Sequence, residues 1–375
     1  MLTFDGTMGR YEAKTERCSH CGAWSFRREE PEVGREEPVM AEKTYPDYEE
    51  MERHWNDKVD EQLEPMFPTV AEPTTKDELV RDLLAMGVRG RHVMVHSSYK
   101  LLAPVENGPQ AVVNACLEAV GPDGCLIFPT YDFESFTERG YWDHANTPSR
   151  MGIISELARK DGRFFRSRHP VLSYVVAGTH YSGARMLAGL DRPVAHGSRS
   201  AFSEFVDEGG LLISIGADKQ SGFRNNDVGF TISNHAAVLA GAPWRKMKVF
   251  EGVVPDIGIC RYALSVNADP SRYVTEVTPG HLEAEKQGII KRFPIGRTEA
   301  WVAYARTFVD WAVESHKTDP ALWRKQFVQP SESIDVTDTE TKNRKCEYCG
   351  ASAVRTFAVG GGGIHDACGA CWVRG

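Results

Sequence analysis

The stretch TPSRMG, Thr147 to Gly152, stands at the centre of a series of motifs that decides the fold. The flanking motifs are VHSSY (95–99), GPDGCLIFPTYDF (121–133), RSRHPVLSYVVAG (166–178), AHGSRSAFSEF (195–205) and GGLLISIG (209–216). Apolar runs typical of buried strands alternate here with runs of helical spacing, such as ELVRDLLAMGV and MGIISELARKDG. This alternation predicts an α/β domain whose central sheet is mixed and partly parallel, with helices flanking it.

The limits of this domain are also visible in the sequence. Thr75-Lys-Asp-Glu78 fits a capping box before the first helix, and TEAWVAYARTFVDWAVESH (298–316) has the spacing of one long closing helix. We therefore place the main domain at 75–317. The remaining segments are a cysteine-bearing N-terminal piece (1–27), a polar linker with a helix (28–74), a second linker (318–345) and a glycine- and cysteine-rich tail (346–375).

Composition narrows the class of protein. The chain has 375 residues, 41% of them hydrophobic, and a formal net charge of −8. An acidic balance argues against general nucleic-acid binding, and although it suits a cationic substrate, solvated surface charge is the commoner cause. The N-terminus lacks the apolar core of a signal peptide and no apolar run is long enough for a membrane span. We expect a cytoplasmic protein.

Six of the nine cysteines form three C-x-x-C pairs. In the tail, two pairs with eighteen residues between them are the spacing of a tetrahedral zinc site, which predicts a structural zinc ribbon held by Cys346, Cys349, Cys368 and Cys371. Redox-active C-x-x-C pairs are the competing interpretation. A short tail of this kind depends on its metal to fold.

The N-terminal segment ERCSHCGAWSFRR echoes the first half of the tail. Cys18, Cys21 and His20 are candidate ligands of a second zinc, completed by His54, by His365 or by another subunit, unless the segment is a metal-free remnant. The three remaining cysteines stand alone in apolar surroundings and are interpreted as core thiols: Cys116, Cys125 and Cys260.

The motifs around TPSRMG, in this order and at this spacing, resemble the aminoglycoside 3-N-acetyltransferase family, whose members move an acetyl group from coenzyme A to an amine of an antibiotic. The resemblance runs from about Thr75 to Glu314. It implies a coenzyme A thioester as cofactor, a small-molecule amine acceptor, extra antiparallel strands after residue 245 and, weakly, a homodimer. Ordinary members lack a zinc ribbon, so the ribbon is a candidate docking element for a protein partner.

The resemblance places the catalytic histidine at His235, about twenty residues after GGLLISIG. An ammonium becomes nucleophilic only after it loses a proton, and a histidine is suited to act as that general base. Two departures are visible, because Thr231 stands one residue too far away and Val238 replaces the family's glutamate. The partner of the ring must then come from elsewhere, with Glu134, Asp132 and Asp143 as candidates. The alternative is a histidine that caps a helix or sits in the core.

The same comparison gives a set of expected coenzyme A contacts. HSS ends a strand, where open α/β sheets bind ligands, and TPSRMG precedes a helix, where free N–H groups bind anions. A serine-rich turn and a helix cap are the structural alternatives. Arg166 and Arg168 are further candidates for phosphate. The full set is His96, Ser97, Ser98, Ser149, Arg150, His169, Ser173, Gly197, Ser198, Ser200 and Phe202.

Acidic loop residues between the motifs suit a polycationic acceptor. Asp143, Asp218 and Asp227 are the candidates as a set, together with Asp132 and Glu134, although a solvated surface charge is the better interpretation of any one of them.

These observations predict a coenzyme-A-dependent N-acyltransferase that acetylates a primary amine of an aminoglycoside or a related amino sugar in a ternary complex. Such an enzyme would serve antibiotic resistance or biosynthesis, and the zinc ribbon and the replacement of the family's glutamate by Val238 slightly favour biosynthesis. One alternative is a biosynthetic acyltransferase whose donor is a carrier-protein-bound acyl group docked on the ribbon. A second alternative is a non-catalytic zinc-ribbon binding or scaffold protein.

Overall fold

The computed structural model describes residues 15–17, 24–26, 72–178, 180–216, 227–243, 245–255, 257–267, 279–323, 355–359 and 363–367. The chain divides into two compact units, residues 1–44 and residues 45–375. The first contains the antiparallel pair β1 (Thr15–Arg17) and β2 (Trp24–Phe26).

The second unit contains a seven-stranded mixed sheet with the order β10-β11-β7-β3-β4-β6-β5. Its strands are β3 (His92–Ser97), β4 (Cys125–Pro129), β5 (Phe165–Arg166), β6 (Tyr174–Gly178), β7 (Leu211–Ile215), β10 (Lys291–Ile295) and β11 (Thr298–Tyr304). Strand β3 runs parallel to both β4 and β7, whereas the outer pairs are antiparallel. The predicted α/β class with a mixed, partly parallel sheet is confirmed.

Helices and two further hairpins complete this unit. The helices are α1 (Lys76–Ala85), α2 (Tyr99–Leu102), α3 (Pro109–Val120), α4 (Ser135–Arg139), α5 (Ile153–Lys160), α6 (His180–Leu190), α7 (Ala201–Asp207), α8 (Asp227–Leu239), α9 (Pro279–Lys286) and α10 (Ala305–Thr318), followed by a 3₁₀ turn, Pro320–Trp323. The antiparallel hairpins are β8 (Arg245–Val254) with β9 (Gly258–Asn267), and β12 (Arg355–Val359) with β13 (Gly363–Ala367).

Each central strand buries side chains on both faces of the sheet. Along β3, Val93 and Val95 join the core that also contains residues of α1, α3 and α5, whereas Met94 joins the core that contains residues of α7 and α10. Successive strand residues point to opposite faces, so an apolar run without polar interruptions is the expected pattern of a strand covered on both sides.

The predicted capping box before the first helix is confirmed in detail. Thr75 accepts a hydrogen bond from the N–H of Glu78, and the Glu78 carboxylate accepts one from the N–H of Thr75, which completes the capping box of α1. No helix among the described residues is long and apolar enough to cross a membrane.

The predicted closing helix over 298–316 is wrong in its first third. Residues 298–304 form β11, and the helix begins only at Ala305. Ala300 packs into one core and Trp301 into the other, so this apolar segment meets the requirement of a strand buried on both faces. Gly296, with a φ of +52°, turns β10 into β11 and supplies the pairing partner. Tertiary pairing therefore overrides the helical spacing.

Candidate active site

The carboxyl ends of β3, β4 and β7 meet at one edge of the sheet because these strands are parallel. Ser98 follows β3, and its N–H donates to the carbonyl of Ile215 at the end of β7 (3.0 Å). Gly216 has a φ of +78°, and a Cβ there would lie 3.2 Å from the Ser98 Cβ and 3.0 Å from the Leu101 Cβ. Glycine is required here both by the backbone conformation and by this close approach.

His96 lies buried at the same edge. Its ring contacts Tyr131 edge-on, with 6.5 Å between the centroids, and neither ring nitrogen has a hydrogen-bond partner within the described ranges. The neighbouring Ser97 hydroxyl is also buried and has no hydrogen-bond partner among the described residues. Burial lowers the pKa of His96 to about 3, so the ring is neutral near pH 7. Buried polar atoms of this kind need a partner, and a ligand at the strand edge would supply one.

The predicted anion site at the start of α5 is already occupied by a side chain of the same helix. The Ser149 N–H donates to the buried carboxylate of Glu156 (2.8 Å), and the Ser149 hydroxyl accepts from Met151 (3.1 Å). Arg159 donates one hydrogen bond to each oxygen of that carboxylate, both at 2.7 Å. Ser149 is thus part of an internal cap, and the expected phosphate contact at this residue gains no support.

Arg150 forms ion pairs with two carboxylates that the sequence analysis proposed as candidate partners of His235. Its guanidinium lies 2.6 Å from Glu134 and 3.4 Å from Asp132. Asp132 also accepts the N–H groups of Glu134 (3.0 Å) and Ser135 (3.2 Å), and its Oδ2 is buried with no partner in the part of the chain described. Arg150, which was expected to bind phosphate, is therefore paired with Asp132 and Glu134, which were expected to assist His235.

Two further predicted residues belong to the interior. Arg166 is buried, and its guanidinium donates to the backbone carbonyls of Thr130, His144 and Thr147. Ser173, fully buried, accepts from Arg166 (3.2 Å) and donates to the Thr130 carbonyl (2.8 Å). Burial lowers the pKa of Arg166 to about 9, and nearby carboxylates oppose that shift. These contacts position the loop around TPSRMG and leave the Arg166 side chain inside the protein.

His235 lies in α8 and meets the AHGSRSAF loop. The Gly197 N–H donates to Nδ1 of His235 (3.2 Å), and the ring packs edge-on against Phe202, with 5.0 Å between the centroids. Only 2% of His235 is exposed. Burial, and secondly the positive charge of Arg306, lower the pKa of His235 to about 3. The structure therefore brings together three residues that the sequence assigned to the site.

A second buried histidine, His196, lies near His235, and a third, His169, lies near His196. Burial, and also the positive charge of Arg245, lower the pKa of His196 well below its usual value. His169 accepts the N–H groups of Val171 and Leu172 at Nδ1, and burial lowers its pKa to about 3. The sequence interpretation missed His196, although AHGS places it directly before Gly197.

The other predicted residues have simpler surroundings. Ser200 caps α7 by accepting from the Ser203 N–H (3.3 Å), and Ser198 is exposed. Asp143 accepts the N–H groups of Ala145 (2.8 Å) and Asn146 (3.0 Å) in a local turn.

Several predicted residues fall outside the described part of the chain. These are Asp218, the Asp227 side chain and all predicted zinc ligands, namely Cys18, His20, Cys21, Cys346, Cys349, Cys368 and Cys371. Within the described residues no group of three or more His, Cys, Asp or Glu side chains could hold a metal ion. The three isolated cysteines Cys116, Cys125 and Cys260 are free thiols, the first two of them buried.

Comparison with known proteins places this arrangement in a family. The sequence model described as aminoglycoside 3-N-acetyltransferase matches residues 94–317, which is more than half of the chain. The chain belongs to the aminoglycoside 3-N-acetyltransferase family. The prediction of an N-acyltransferase of this type is thereby confirmed.

Individual members agree with this placement. Aminoglycoside N(3)-acetyltransferase VIII of Streptomyces fradiae is 31% identical over 200 residues, covering 48% of this chain and 66% of that enzyme, just under two thirds. Aminoglycoside N(3)-acetyltransferase VII of Streptomyces paromomycinus is 26% identical over 273 residues, which cover 64% of this chain and 91% of that enzyme. The solved structure of a variant of AAC(3)-IVa with a gentamicin shares the fold, with a TM-score of 0.57 at 22% identity over 68% of this chain and 93% of that one.

Proposed function

We propose that this protein transfers an acetyl group from acetyl-coenzyme A to an amine of an aminoglycoside or a related amino sugar, within a ternary complex. The observation that carries the proposal is the meeting of His235 with the Gly197–Phe202 loop, in a chain that the family model covers from 94 to 317. A resistance role is favoured, because the relatives are named for antibiotic acetylation.

The donor and the acceptor are supported by different relatives. One relative, AAC-IIIb, has been solved with coenzyme A, and others with a gentamicin, apramycin or sisomicin. In this chain, the orphaned polar atoms of His96 and Ser97 at the carboxyl edge of the parallel strands suit the donor. The carboxylates of Asp132 and Glu134 suit a polycationic acceptor, whose ammonium groups would compete with Arg150 for them.

The reaction requires one new bond, one broken bond and one net proton transfer. After the ammonium has lost one proton, the free amine nitrogen attacks the thioester carbonyl, the C–S bond breaks, and a second proton leaves the nitrogen while the coenzyme A sulfur gains one. Charge develops on the carbonyl oxygen on the way, and a positioned N–H group would stabilise it. His235 is the residue that we place at this centre, where the sequence predicts a general base.

The first test combines binding with turnover. Purified protein with acetyl-coenzyme A and gentamicin or apramycin should release coenzyme A thiol, detected with a chromogenic thiol reagent. Ser98→Trp should weaken acetyl-coenzyme A binding about a hundredfold or more, because the indole would fill the strand edge beside Gly216.

Ser98→Ala is the matched control for side-chain size: it leaves the strand edge open, and it should cost little stability because the Ser98 hydroxyl makes no cap hydrogen bond to α2. Thermal unfolding of both variants checks that the fold is intact. Absence of acetyl-coenzyme A binding by the wild-type protein would contradict the proposal and favour a carrier-bound donor or a non-catalytic role.

We also propose that the tail binds one zinc ion through Cys346, Cys349, Cys368 and Cys371. Support comes from the spacing of the pairs and from the described hairpin between them, whose open end pairs Arg355 with Ala367. The second pair follows directly after Ala367 in the chain. By analogy, Cys18 and Cys21 fall in the connection between the paired residues Arg17 and Trp24, and with His20 they are candidate ligands of a second zinc.

Metal content tests the zinc proposal. Denaturation in the presence of a chromophoric chelator should release at least one zinc per chain, and Cys368→Ser with Cys371→Ser should remove one equivalent. Cys116→Ser should leave the zinc content unchanged, because burial raises the pKa of that thiol to about 12 and keeps it protonated. Zinc-free protein from a zinc-supplemented preparation would contradict the assignment.

A further inference from the structure

The His235 ring is held by a backbone donor. The Gly197 N–H donates to Nδ1 at 3.2 Å, so that nitrogen uses its lone pair as the acceptor. In a neutral imidazole only one nitrogen carries the proton, and the nitrogen that accepts a hydrogen bond is the other one. The neutral ring therefore carries its proton on Nε2, and Nε2 is a donor.

The residues around Nδ1 agree with this tautomer. Val238, one helical turn after His235, is apolar, and a Cβ on Gly197 would lie 2.8 Å from its Cγ1. Gly197, which supplies the N–H, thus packs directly against the apolar side chain of Val238. Among the described residues neither a carboxylate nor a carbonyl oxygen accepts a hydrogen bond from His235, and the opposite tautomer would need such an acceptor at Nδ1.

The electrostatic surroundings also oppose a base. Burial and the charge of Arg306 lower the pKa of His235 to about 3. An alkylammonium has a pKa of about 8 to 10, so a ring with this pKa is a weak base toward it. Moreover, Gly197 has a φ of +98° in a tight turn, so the peptide that donates to Nδ1 is held in place by the loop conformation.

We propose that His235 acts as a hydrogen-bond donor, through Nε2–H, to the thioester oxygen as negative charge develops on it, and that the Gly197 N–H is the positioning group that sets this tautomer. This inference rests on the proposed acetyl transfer. The acceptor then enters as the free amine, having lost a proton to solvent. Its nitrogen lone pair forms the new C–N bond, the C–S electron pair leaves with sulfur, and the second amine proton passes to that sulfur. His235 ends with the proton it began with.

The first test reads the tautomer directly and requires no turnover. Full-length protein labelled with ¹⁵N-histidine, compared with His235→Gln for assignment, should show His235 with a protonated Nε2 and an unprotonated Nδ1 at pH 7. A protonated Nδ1 with an unprotonated Nε2 would overturn the inference. Because this readout is independent of activity, it remains decisive even if the acetyl-transfer proposal fails.

The second test separates a donor from a base in the reaction. His235→Gln places an amide N–H near the position of Nε2 without adding a base, whereas His235→Ala supplies neither group. We expect kcat/KM to fall about 1000-fold in the alanine variant and about tenfold in the glutamine variant. In the wild type, the rise of kcat/KM with pH should follow the pKa of the acceptor amine when acceptors are exchanged.

Equal losses in the two variants, together with an enzyme ionisation that stays constant across acceptors, would show that His235 is a base. Near-identical thermal midpoints of the two variants would confirm that the comparison reports on the reaction. Wild-type protein that turns over no acceptor at all would count against the proposed function, and the tautomer measurement would then decide the inference alone.

Discussion

Arg166→Ala is expected to lower the free energy of unfolding by about 3 to 5 kcal/mol. The buried guanidinium makes four hydrogen bonds, and its removal leaves buried acceptors without donors, each costing about 1 to 3 kcal/mol. Those acceptors are the carbonyls of His144 and Thr147, whereas the Thr130 carbonyl and the Ser173 hydroxyl remain hydrogen-bonded to each other. Urea unfolding followed by tryptophan fluorescence measures the loss directly.

Two control variants make this prediction specific. Arg166→Lys should also destabilise the protein, because one ammonium group cannot reproduce a planar fork or its packing over Trp142, where the guanidinium carbon lies 4.8 Å from the ring centroid. Arg168→Ala should change stability by less than about 1 kcal/mol, because the Arg168 side chain is exposed. The hydrogen bond from residue 168 to Asp191 is donated by the backbone N–H, which the alanine variant keeps. Equal effects at 166 and 168 would contradict the assigned role.

Mild acid is expected to unfold the protein. Burial lowers the pKa of His96, His169 and His235 to about 3 and that of His281 to about 4. In the unfolded chain a histidine titrates near 6.5, so below that pH the unfolded state binds protons that the folded state does not. The stabilisation is present above about pH 6.5 and is lost as pH falls toward 3 or 4.

The size of this effect follows from linkage. Burial also lowers the pKa of His196 well below its usual value, which makes five such groups. Each group costs about 1.4 kcal/mol for every pH unit below 6.5, so the five together remove about 7 kcal/mol by pH 5.5. That is comparable to the whole stability of many domains, about 5 to 15 kcal/mol. Urea unfolding at pH 7.5, 6.5 and 5.5 should give a slope near pH 5.5 that corresponds to uptake of roughly five protons on unfolding.

A single substitution outside the site checks the origin of this slope. His281 packs among Trp301, Phe308 and Trp323, with ring centroids 5.7 to 6.2 Å away. His281→Phe should reduce the proton uptake by about one and leave the acetylation assay unchanged at pH 7.5. A free energy of unfolding that stays constant from pH 7.5 to 5.5 would mean that these rings are protonated in the folded protein.

Much of the fold was predictable because burial on both faces of a sheet requires continuous apolar runs. VMV in β3, CLIF in β4 and LLISI in β7 are such runs, and the helices between them have their own spacing and caps. Residues 298–304 were assigned to a helix because an apolar strand buried on two faces can also match helical spacing. Only the pairing of β11 with β7 and β10 distinguishes the two.

The candidate site shows the same limit at the level of single side chains. Motif order pointed to His235 and to the Gly197–Phe202 loop, and these residues do meet. The expected roles of Ser149, Arg150 and Asp132 depended on their charge or their position in the chain. In the folded protein those groups are engaged by nearer partners, because a carboxylate or an N–H group binds the first complementary group that packing brings to it.

The sequence by itself thus determined the family, the class of the sheet and the capping box of the first helix, and it singled out His235 as the candidate catalytic histidine. Each of these depends on local spacing or on the order of motifs, which the chain carries without its neighbours. The tertiary structure decided which residues pair with one another, which histidines are buried and neutral, and which nitrogen of His235 accepts the Gly197 N–H. Those properties depend on groups distant in sequence, and only the folded chain brings such groups within hydrogen-bonding distance.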